Sequence, residues 1–317
     1  MFIKKDLRKI DVILKDPESI PFLKLARRPA EWNGSLKTLI NSSNIHMLTP
    51  LETLSVYESK ITDISALSKL EHTSIKQINV GRNPITSIPS DLALLDTLKD
   101  FWADDCEVAG ELPAAFYGMS NLEQIRMSGN KLTHMDDSKI AQLKNLKVLC
   151  LDNNQITELP PNLRKLKALE SLLVRSNLLV NIPEVIFSNP CLSNLKLLHL
   201  SSNKLTSLPD SLVSLSGLET LYANGNQIAV LPVGFGTMEK LKKLQLANNK
   251  ISELPSDFTD RFGVVEGVKG LLLADENCNV NVIGNPIVNV IVEAKKKQLK
   301  EEQAAEKRRL ETTMDTS

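Results

Sequence analysis

The sequence predicts an α/β solenoid in which a parallel sheet lines one side and short helices or 3₁₀ turns line the other. A motif of regularly spaced leucines recurs nine times in 317 residues, with successive copies starting 23 to 26 residues apart. Aromatic residues make up only 4% of the chain, so leucine and isoleucine must build the core. One copy cannot bury its own leucines, and neighbouring copies must therefore stack around a continuous core.

The clearest copy of the motif runs from Leu146 to Pro160 with the pattern L-x-x-L-x-L-x-x-N-x-I-x-x-L-P. Its alternating leucines predict a short strand with one buried face. The Asn at the ninth position predicts a buried amide that satisfies backbone groups where the chain leaves the strand. The closing Pro fixes φ where the chain turns to the outer side. The copies start at Leu51, Ile75, Leu98, Leu122, Leu146, Leu169, Leu195, Leu218 and Leu241.

The segments between the strands predict the outer side of the solenoid. Residues 210–218, for example, carry apolar side chains at helical spacing, which favours short helices or 3₁₀ turns. Two places depart from the pattern, namely residues 109–113, which lack the usual leucine spacing, and the long interval 169–195. We expect local distortion at both. Ser59 and Cys106 replace the ninth-position Asn in two copies.

The pattern divides the chain into an N-terminal helical cap (1–34), a repeat domain (35–290) of about ten copies with the first and last degraded, and a charged helical tail (291–317). The cap is predicted because apolar residues recur on one side of a helix. Residues 1–28 carry eight basic and four acidic side chains, and residues 295–311 carry seven and four. Peripheral membrane contact through these basic ends is therefore an alternative to simple capping. The apolar stripe of the cap consists of Ile3, Leu7, Ile10 and Leu14.

Composition and motifs argue against several function classes. Lys+Arg and Asp+Glu each total 38, so no overall positive field predicts nucleic-acid binding. No apolar run approaches the roughly 18 residues of a transmembrane segment. The four cysteines show no CxxC spacing, and the N-terminus has no apolar signal region, which favours a cytoplasmic localisation. Without a phosphate loop, a paired nucleophile or metal-spaced histidines, the sequence predicts neither an enzyme nor a cofactor or metal site.

The repeat pattern resembles the cytoplasmic leucine-rich-repeat family over about residues 48–290. Its Leu-Pro copies are most similar to the Ras-group members of that family, such as the Ras suppressor and the plant intracellular Ras-group proteins. The resemblance implies a scaffold or adaptor that binds a protein on its concave face, in intracellular signalling. By analogy, the partner is a small GTPase or another signalling protein. The alternative is a regulatory subunit or degradation adaptor that acts through its terminal helices.

Side chains that the repeat leaves outside its core predict the binding surface. The third, fifth, seventh and eighth positions of each copy should face the concave side or its edge. One of the two Trp and two of the three Tyr fall at these positions, where they add no core burial. Trp, Tyr and Arg are enriched at binding hot spots. The alternative is that neighbouring side chains cover some of these residues, which then bind nothing. We predict a surface centred on Trp102, Arg126, Asp152, Arg175, His199 and Tyr222, with Asp100, Asp104, Arg82 and Tyr57 beside it.

Overall fold

A twelve-stranded sheet is the main element of the chain, which we describe from a computed structural model. Eleven of its strands run parallel, and one is antiparallel at the end of the sheet. The predicted α/β solenoid with a parallel sheet is therefore confirmed. The structure describes residues 22–24, 36–37, 40, 48–188, 190–258, 272–275 (backbone only) and 278–288.

The strands follow one another in the sheet almost in chain order. The sheet order is β1-β2-β3-β4-β6-β8-β9-β10-β11-β12-β14-β13, and β5 and β7 form a separate two-stranded sheet. The strands are β1 (Phe22–Lys24), β2 (Thr53–Ser55), β3 (Gln77–Asn79), β4 (Asp100–Trp102), β5 (Ala109–Glu111), β6 (Gln124–Arg126), β7 (Lys131–His134), β8 (Val148–Cys150), β9 (Ser171–Leu173), β10 (Leu197–His199), β11 (Thr220–Tyr222), β12 (Lys243–Gln245), β13 (Leu272–Asp275) and β14 (Cys278–Asn281).

Each short strand of the repeats turns its central residue into the core and its two flanking residues to the other side. Leu149 and Leu172, at the centres of β8 and β9, are completely buried. Because side chains alternate along a strand, the residues on either side of them point away from the core. The backbone pairing continues beyond the strands, since the Leu151 and Asn153 N–H groups donate to the next copy. Equivalent positions of successive copies therefore line up in rows.

Buried asparagines tie each copy to the copy before it. The Asn154 amide nitrogen donates to the carbonyls of Met127 (2.9 Å) and Leu151 (3.0 Å), and its oxygen accepts from the Leu132 N–H (3.0 Å). These backbone groups have no sheet partner at the bend, so the amide satisfies them as predicted. Corresponding hydrogen bonds are made by Asn83, Asn130, Asn177, Asn203, Asn226, Asn249 and Asn285.

The residue before each position of this asparagine ladder has a left-handed backbone, which sequence analysis did not predict. The φ angles lie between 52° and 77°. Left-handed backbone turns the chain sharply off the strand, and it disfavours residues with a Cβ. Only three of the ten residues are glycine, so the repeat imposes this strain on most copies. The residues are Glu58, Arg82, Asp105, Gly129, Asn153, Ser176, Ser202, Gly225, Asn248 and Gly284.

Short helices cover the outer side of the solenoid, as predicted. Pro160 and Pro209 hold extended backbone just before two of them, and Leu163 and Leu212 then turn into the core. The 3₁₀ helices are Ser65–His72, Ser90–Leu94, Ile140–Gln142, Pro161–Lys165, Glu184–Ile186, Asp210–Ser214 and Phe235–Thr237, and α1 is Ala115–Gly118.

The two irregular intervals are accommodated differently. Residues 109–113 contribute the additional strand β5, which pairs with β7 through an irregular register. In the long interval 169–195, the strand register is kept, because Leu173 still lies opposite His199. The extra residues therefore lie in the outer segment, where Leu192 has a φ of 48°.

The ends of the sheet partly revise the predicted boundaries. Phe22–Lys24 lies within the predicted helical cap, yet it forms strand β1 parallel to β2, with Leu23 buried. The sheet thus begins before residue 35. At the other end, β14 pairs with β12 and Asn285 joins the asparagine ladder, as the degraded last copy predicted. The apolar stripe of the cap and the tail 291–317 lie outside the described residues.

Candidate protein-binding surface

The predicted surface residues lie together on the side of the sheet that faces away from the core. Register pairs Trp102 with Arg126 and His199 with Tyr222 in neighbouring strands. Neighbouring strands lie about 4.8 Å apart, so each row is continuous. The fifth-position row is Ser55, Asn79, Trp102, Arg126, Cys150, Leu173, His199, Tyr222 and Gln245. The seventh-position row is Tyr57, Gly81, Asp104, Ser128, Asp152, Arg175, Ser201, Asn224 and Ala247.

Trp102 is held in place by the next copy of the repeat. Its indole Nε1 donates to Oε1 of Gln124 over 2.9 Å, and the Arg126 guanidinium carbon lies 5.9 Å from the ring centroid. Such a cation–π contact adds attraction to the burial of the ring. The indole therefore stays half-buried on the sheet with a fixed orientation. Gln124, at the third position of its copy, was not among the predicted residues.

Tyr57 and Arg82 form a similar pair at one end of the surface. The Arg82 guanidinium carbon lies 5.5 Å from the Tyr57 ring centroid, and its Nε is 3.3 Å from Oδ2 of Asp105. Gly81 makes room for the ring, because a Cβ there would come within 3.3 Å of the Tyr57 ring and 3.0 Å of the Asp104 carbonyl oxygen. A side chain at this position would require the Tyr57 ring or the Asp104 carbonyl to shift by a few tenths of an ångström.

Tyr222 and Lys243 form the third pair of a ring and a cation, near the other end of the surface. The Tyr222 ring lies 4.8 Å from the His199 ring at 50°, and the Lys243 Nζ is 5.0 Å from the Tyr222 centroid. Lys243 comes from the following strand β12, and it was not among the predicted residues. In all three pairs, the ring comes from one copy and its cation from the next. The sequence shows the residue types but not these contacts.

The predicted carboxylates are partly engaged by the backbone. Asp152 Oδ1 accepts from the Arg175 N–H over 2.7 Å, and Asp104 Oδ1 accepts from the Ser128 N–H over 2.8 Å. Burial raises the pKa of Asp152, and it also raises the pKa of Asp100. Asp104 and Asp152 therefore join successive copies as well as lining the surface.

His199 lies in a half-buried environment that favours its neutral form. Burial lowers the pKa of the imidazole, the Asp152 carboxylate opposes this shift, and the Arg175 guanidinium adds to it. The imidazole is therefore uncharged at neutral pH, which suits its contact with the Tyr222 ring.

Between the Trp102 and Tyr222 pairs lies a group of apolar side chains that sequence analysis did not select. We call it the apolar centre, and it consists of Val148, Cys150, Leu173 and Leu197. Cys150 is 4% exposed, its Sγ lies 3.1 Å from the Ser128 Oγ, and burial raises the pKa of its thiol. The sequence does distinguish these four residues, because the third and fifth positions of the other copies are mostly polar.

Charged side chains of both signs border the surface along the second position of the copies. Glu123 bridges Lys99 (2.8 Å) and Lys147 (2.6 Å), which come from the copies on either side. We call this row the charge ladder. Its other pairs are Lys76–Glu52, Lys196–Glu170 and Lys242–Glu219, at 2.7, 2.8 and 2.8 Å.

The described residues contain no group of three or more His, Cys, Asp or Glu side chains placed to hold a metal ion. None of the helices in the described part of the chain has the length and apolar character to cross a bilayer.

Family models place leucine-rich repeats in the chain. The model described as "Leucine rich repeat" matches residues 112–156 and 167–228, and a second model of the same description matches residues 240–260. The leucine-rich-repeat part of the predicted resemblance is confirmed by these matches. The Ras-group subtype stays a prediction.

Curated relatives share the repeats but are much longer proteins. The chain is 26% identical over 213 residues to the volume-regulated anion channel subunit LRRC8D of Rattus norvegicus, covering 59% of this chain and 23% of the relative. It is 28% identical over 200 residues to the subunit LRRC8E of Xenopus tropicalis, covering 59% and 24%. The chain thus spans about a quarter of the length of these relatives.

Solved structures with the same architecture include bacterial and receptor proteins. A leucine-rich-repeat protein of Leptospira interrogans has a TM-score of 0.59 at 26% identity, covering 78% of this chain and 66% of that one. A TDR receptor has a TM-score of 0.60 at 28% identity, covering 69% and 38%. The ectodomain of the receptor kinase GASSHO1/SCHENGEN3 from Arabidopsis thaliana, in complex with CASPARIAN STRIP INTEGRITY FACTOR 2, has a TM-score of 0.55 at 25% identity, covering 68% and 29%. The fold is an α/β leucine-rich-repeat solenoid.

Proposed function

We propose that the chain is a protein-interaction scaffold or adaptor that binds its partner on the exposed side of the sheet. The observation that carries this proposal is the set of three ring–cation pairs on that side. Tyr57, Trp102 and Tyr222 lie outside the core, which the central leucines of the strands already fill. Large aromatic side chains on a solvated surface reduce solubility. A partner that covers them removes their apolar surface from water, which favours binding.

Rigid positioning supports the same proposal. Trp102 is fixed by Gln124 and Arg126, and Tyr222 by His199 and Lys243. Side chains that are already ordered lose little conformational entropy when a partner binds, so more of the contact energy appears as affinity. Aromatic and arginine residues at the centre of a patch are also the usual hot spots of protein interfaces.

The comparisons support protein binding as the general activity. Leucine-rich-repeat proteins are typically interaction modules and not enzymes, and one structural relative was crystallised with another molecule named in its complex. A role in intracellular signalling and a small GTPase as partner rest on the sequence resemblance alone, and a cytoplasmic localisation rests on the cysteine spacing and the N-terminal sequence. We propose no channel activity for this chain, because its match covers only about a quarter of the channel subunits.

Replacement of Trp102 and Tyr222 by alanine tests the proposal. Proteins captured by the wild-type chain in cross-linking mass spectrometry would be re-measured with the double variant W102A/Y222A. We expect the affinity for a directly bound partner to fall at least about tenfold, because hot-spot rings are removed.

The matched control is L94A/V233A, which removes two exposed apolar side chains from the outer side. Its partner affinity should stay at the wild-type level. Partners that bind W102A/Y222A as tightly as the wild type would show that this side of the sheet is not the binding surface.

A further inference from the structure

We propose that the partner presents an apolar side chain flanked by carboxylates, with the apolar side chain on the apolar centre and the carboxylates on Arg126 and Arg175. This inference rests on the proposed function, because it assigns the chemistry of the segment bound by the same side of the sheet.

Val148, Leu173 and Leu197 of the apolar centre are available to a partner, whereas Cys150 is buried. The neighbouring strand residues Leu149, Leu172 and Leu198 are completely buried and fill the core. Leu173 and Leu197 point to the opposite side and remain partly exposed. Covering such surface removes it from water, which favours the docking of an apolar side chain at this place.

The arginine guanidinium groups on both sides of the apolar centre donate no hydrogen bond to a carboxylate of the described residues. No carboxylate of a described residue lies within 4.0 Å of the Arg175 guanidinium, and the hydrogen bond given for Arg175 to Asp152 uses its backbone N–H. The Arg126 Nε is 4.0 Å from the nearer oxygen of Asp104, too far for a hydrogen bond. A guanidinium binds a carboxylate through two parallel hydrogen bonds, so each arginine can still take one from a partner.

The carboxylates of the same region make more contacts within the chain than the Arg126 and Arg175 guanidinium groups do. One oxygen of Asp152 and one of Asp104 already accept backbone N–H groups. The glutamates of the charge ladder, such as Glu123, are paired with lysines. A basic partner segment would therefore have to share Asp104, Asp152 and Glu123 with the contacts that they already make.

The aromatic rings also disfavour a basic partner. Arg126 lies against the Trp102 ring, and Lys243 lies against the Tyr222 ring. A partner lysine or arginine that contacted these rings would come close to Arg126 or Lys243, and like charges repel. A partner carboxylate would instead be attracted to the same cations.

The spacing of the arginines limits the length of the segment. Arg126 ends β6 and Arg175 follows β9, with only β8 between them in the sheet. Two inter-strand steps and two residues along the strand place their backbones about 12 Å apart. Alternate side chains of an extended chain point to the same side, so an apolar residue with an acidic residue two positions before it and another two positions after it presents all three side chains to the sheet. Its two acidic residues lie about 13 Å apart, which fits this span.

A random peptide library displayed on phage provides the test, with the intact chain as bait. We expect the enriched peptides to carry Asp or Glu on both sides of an apolar residue. A synthetic peptide of that pattern should lose at least about tenfold in affinity when its acidic residues become amides, or when the chain carries R126Q/R175Q. The control variant R164Q/K167Q, which removes two cations from outside the sheet surface, should bind it like the wild type.

Two results would overturn the inference, and they differ in what they say about the proposed function. Enriched peptides that are neutral or basic, yet need Trp102 and Tyr222, would leave sheet-side binding intact and refute the acidic partner. A selection that yields no peptide dependent on any residue of this surface would contradict both proposals.

Discussion

The Arg126 guanidinium lies 5.9 Å from the centroid of the Trp102 ring, across the boundary between two copies of the repeat. The same relation joins Tyr57 to Arg82 and Tyr222 to Lys243. Contacts of this kind depend on the register of neighbouring strands, because the two partners are more than twenty residues apart in sequence. The stacking of copies thus builds the surface as well as the core.

A double-mutant cycle should detect the Trp102–Arg126 contact. We expect W102A and R126A to couple by about 0.5–1 kcal/mol in chemical denaturation, the range of exposed cation–π pairs. The control cycle pairs W102A with R164Q on the outer side, where the coupling should vanish. Equal coupling in both cycles would mean that the contact contributes nothing specific.

Removing one rung of the asparagine ladder should be costly. In N154A, the Leu132 N–H loses its buried partner, and the Met127 and Leu151 carbonyls each keep one donor, from Asn130 and Asn177. We expect the free energy of unfolding to fall by about 3 kcal/mol, since the unsatisfied N–H costs roughly 1–3 kcal/mol and the two lost carbonyl hydrogen bonds add to that cost. The exposed Gln155 beside it is the control, and Q155A should cost much less in the same denaturation experiment.

Completing the ladder should stabilise the chain. Cys106 stands where an Asn would be, with its Sγ 3.6 Å from the Val80 carbonyl oxygen, and the Ile85 N–H bonds the Asn83 carbonyl instead. C106N would supply the missing amide, and we expect about 1 kcal/mol of added stability. A lower unfolding midpoint for C106N would show that the Cys106 copy cannot accept the ladder geometry.

At the left-handed positions, introducing a glycine and replacing one should change the free energy of unfolding in opposite directions. Ser176 has a φ of 52°, so S176G should raise the free energy of unfolding by up to about 1 kcal/mol, because glycine adopts this region without strain. G129A should lower it, since an added Cβ would clash with the Asp105 carboxylate. G225A is the comparison for G129A, because its Cβ would meet nothing closer than 3.7 Å. If G129A costs no more than G225A, the Asp105 side chain moves aside freely.

The pKa of His199 should respond to its two charged neighbours. In an NMR titration, we expect a pKa below the ordinary value, a further decrease in D152N and an increase in R175Q. The unfolded imidazole takes up a proton first as the pH falls through about 6.5, so stability should decrease there. H199Q should lack this part of the pH dependence. A pKa that D152N leaves unchanged would show that the carboxylate does not act on the imidazole.

Much of the surface followed from the period of the repeat. Once each copy places its leucines in the core, the fifth positions of successive copies must fall in one row, and Trp102, Arg126 and Tyr222 lie where that reasoning puts them. The apolar centre was not predicted, because the surface residues were chosen among aromatic and charged side chains and Leu173 and Leu197 are neither. Strand β1 was missed because Leu23 stands in a segment without a recognisable copy of the motif.

The sequence by itself determined the solenoid, its parallel sheet and the asparagine ladder, because a repeated pattern has only one way to bury every leucine and pair every strand. Only the tertiary structure decided which cation lies on which ring, which carboxylate is engaged by the backbone and which arginine lies beyond reach of the described carboxylates. Such contacts join different copies, and they depend on distances of a few ångströms that the spacing of residue types does not specify.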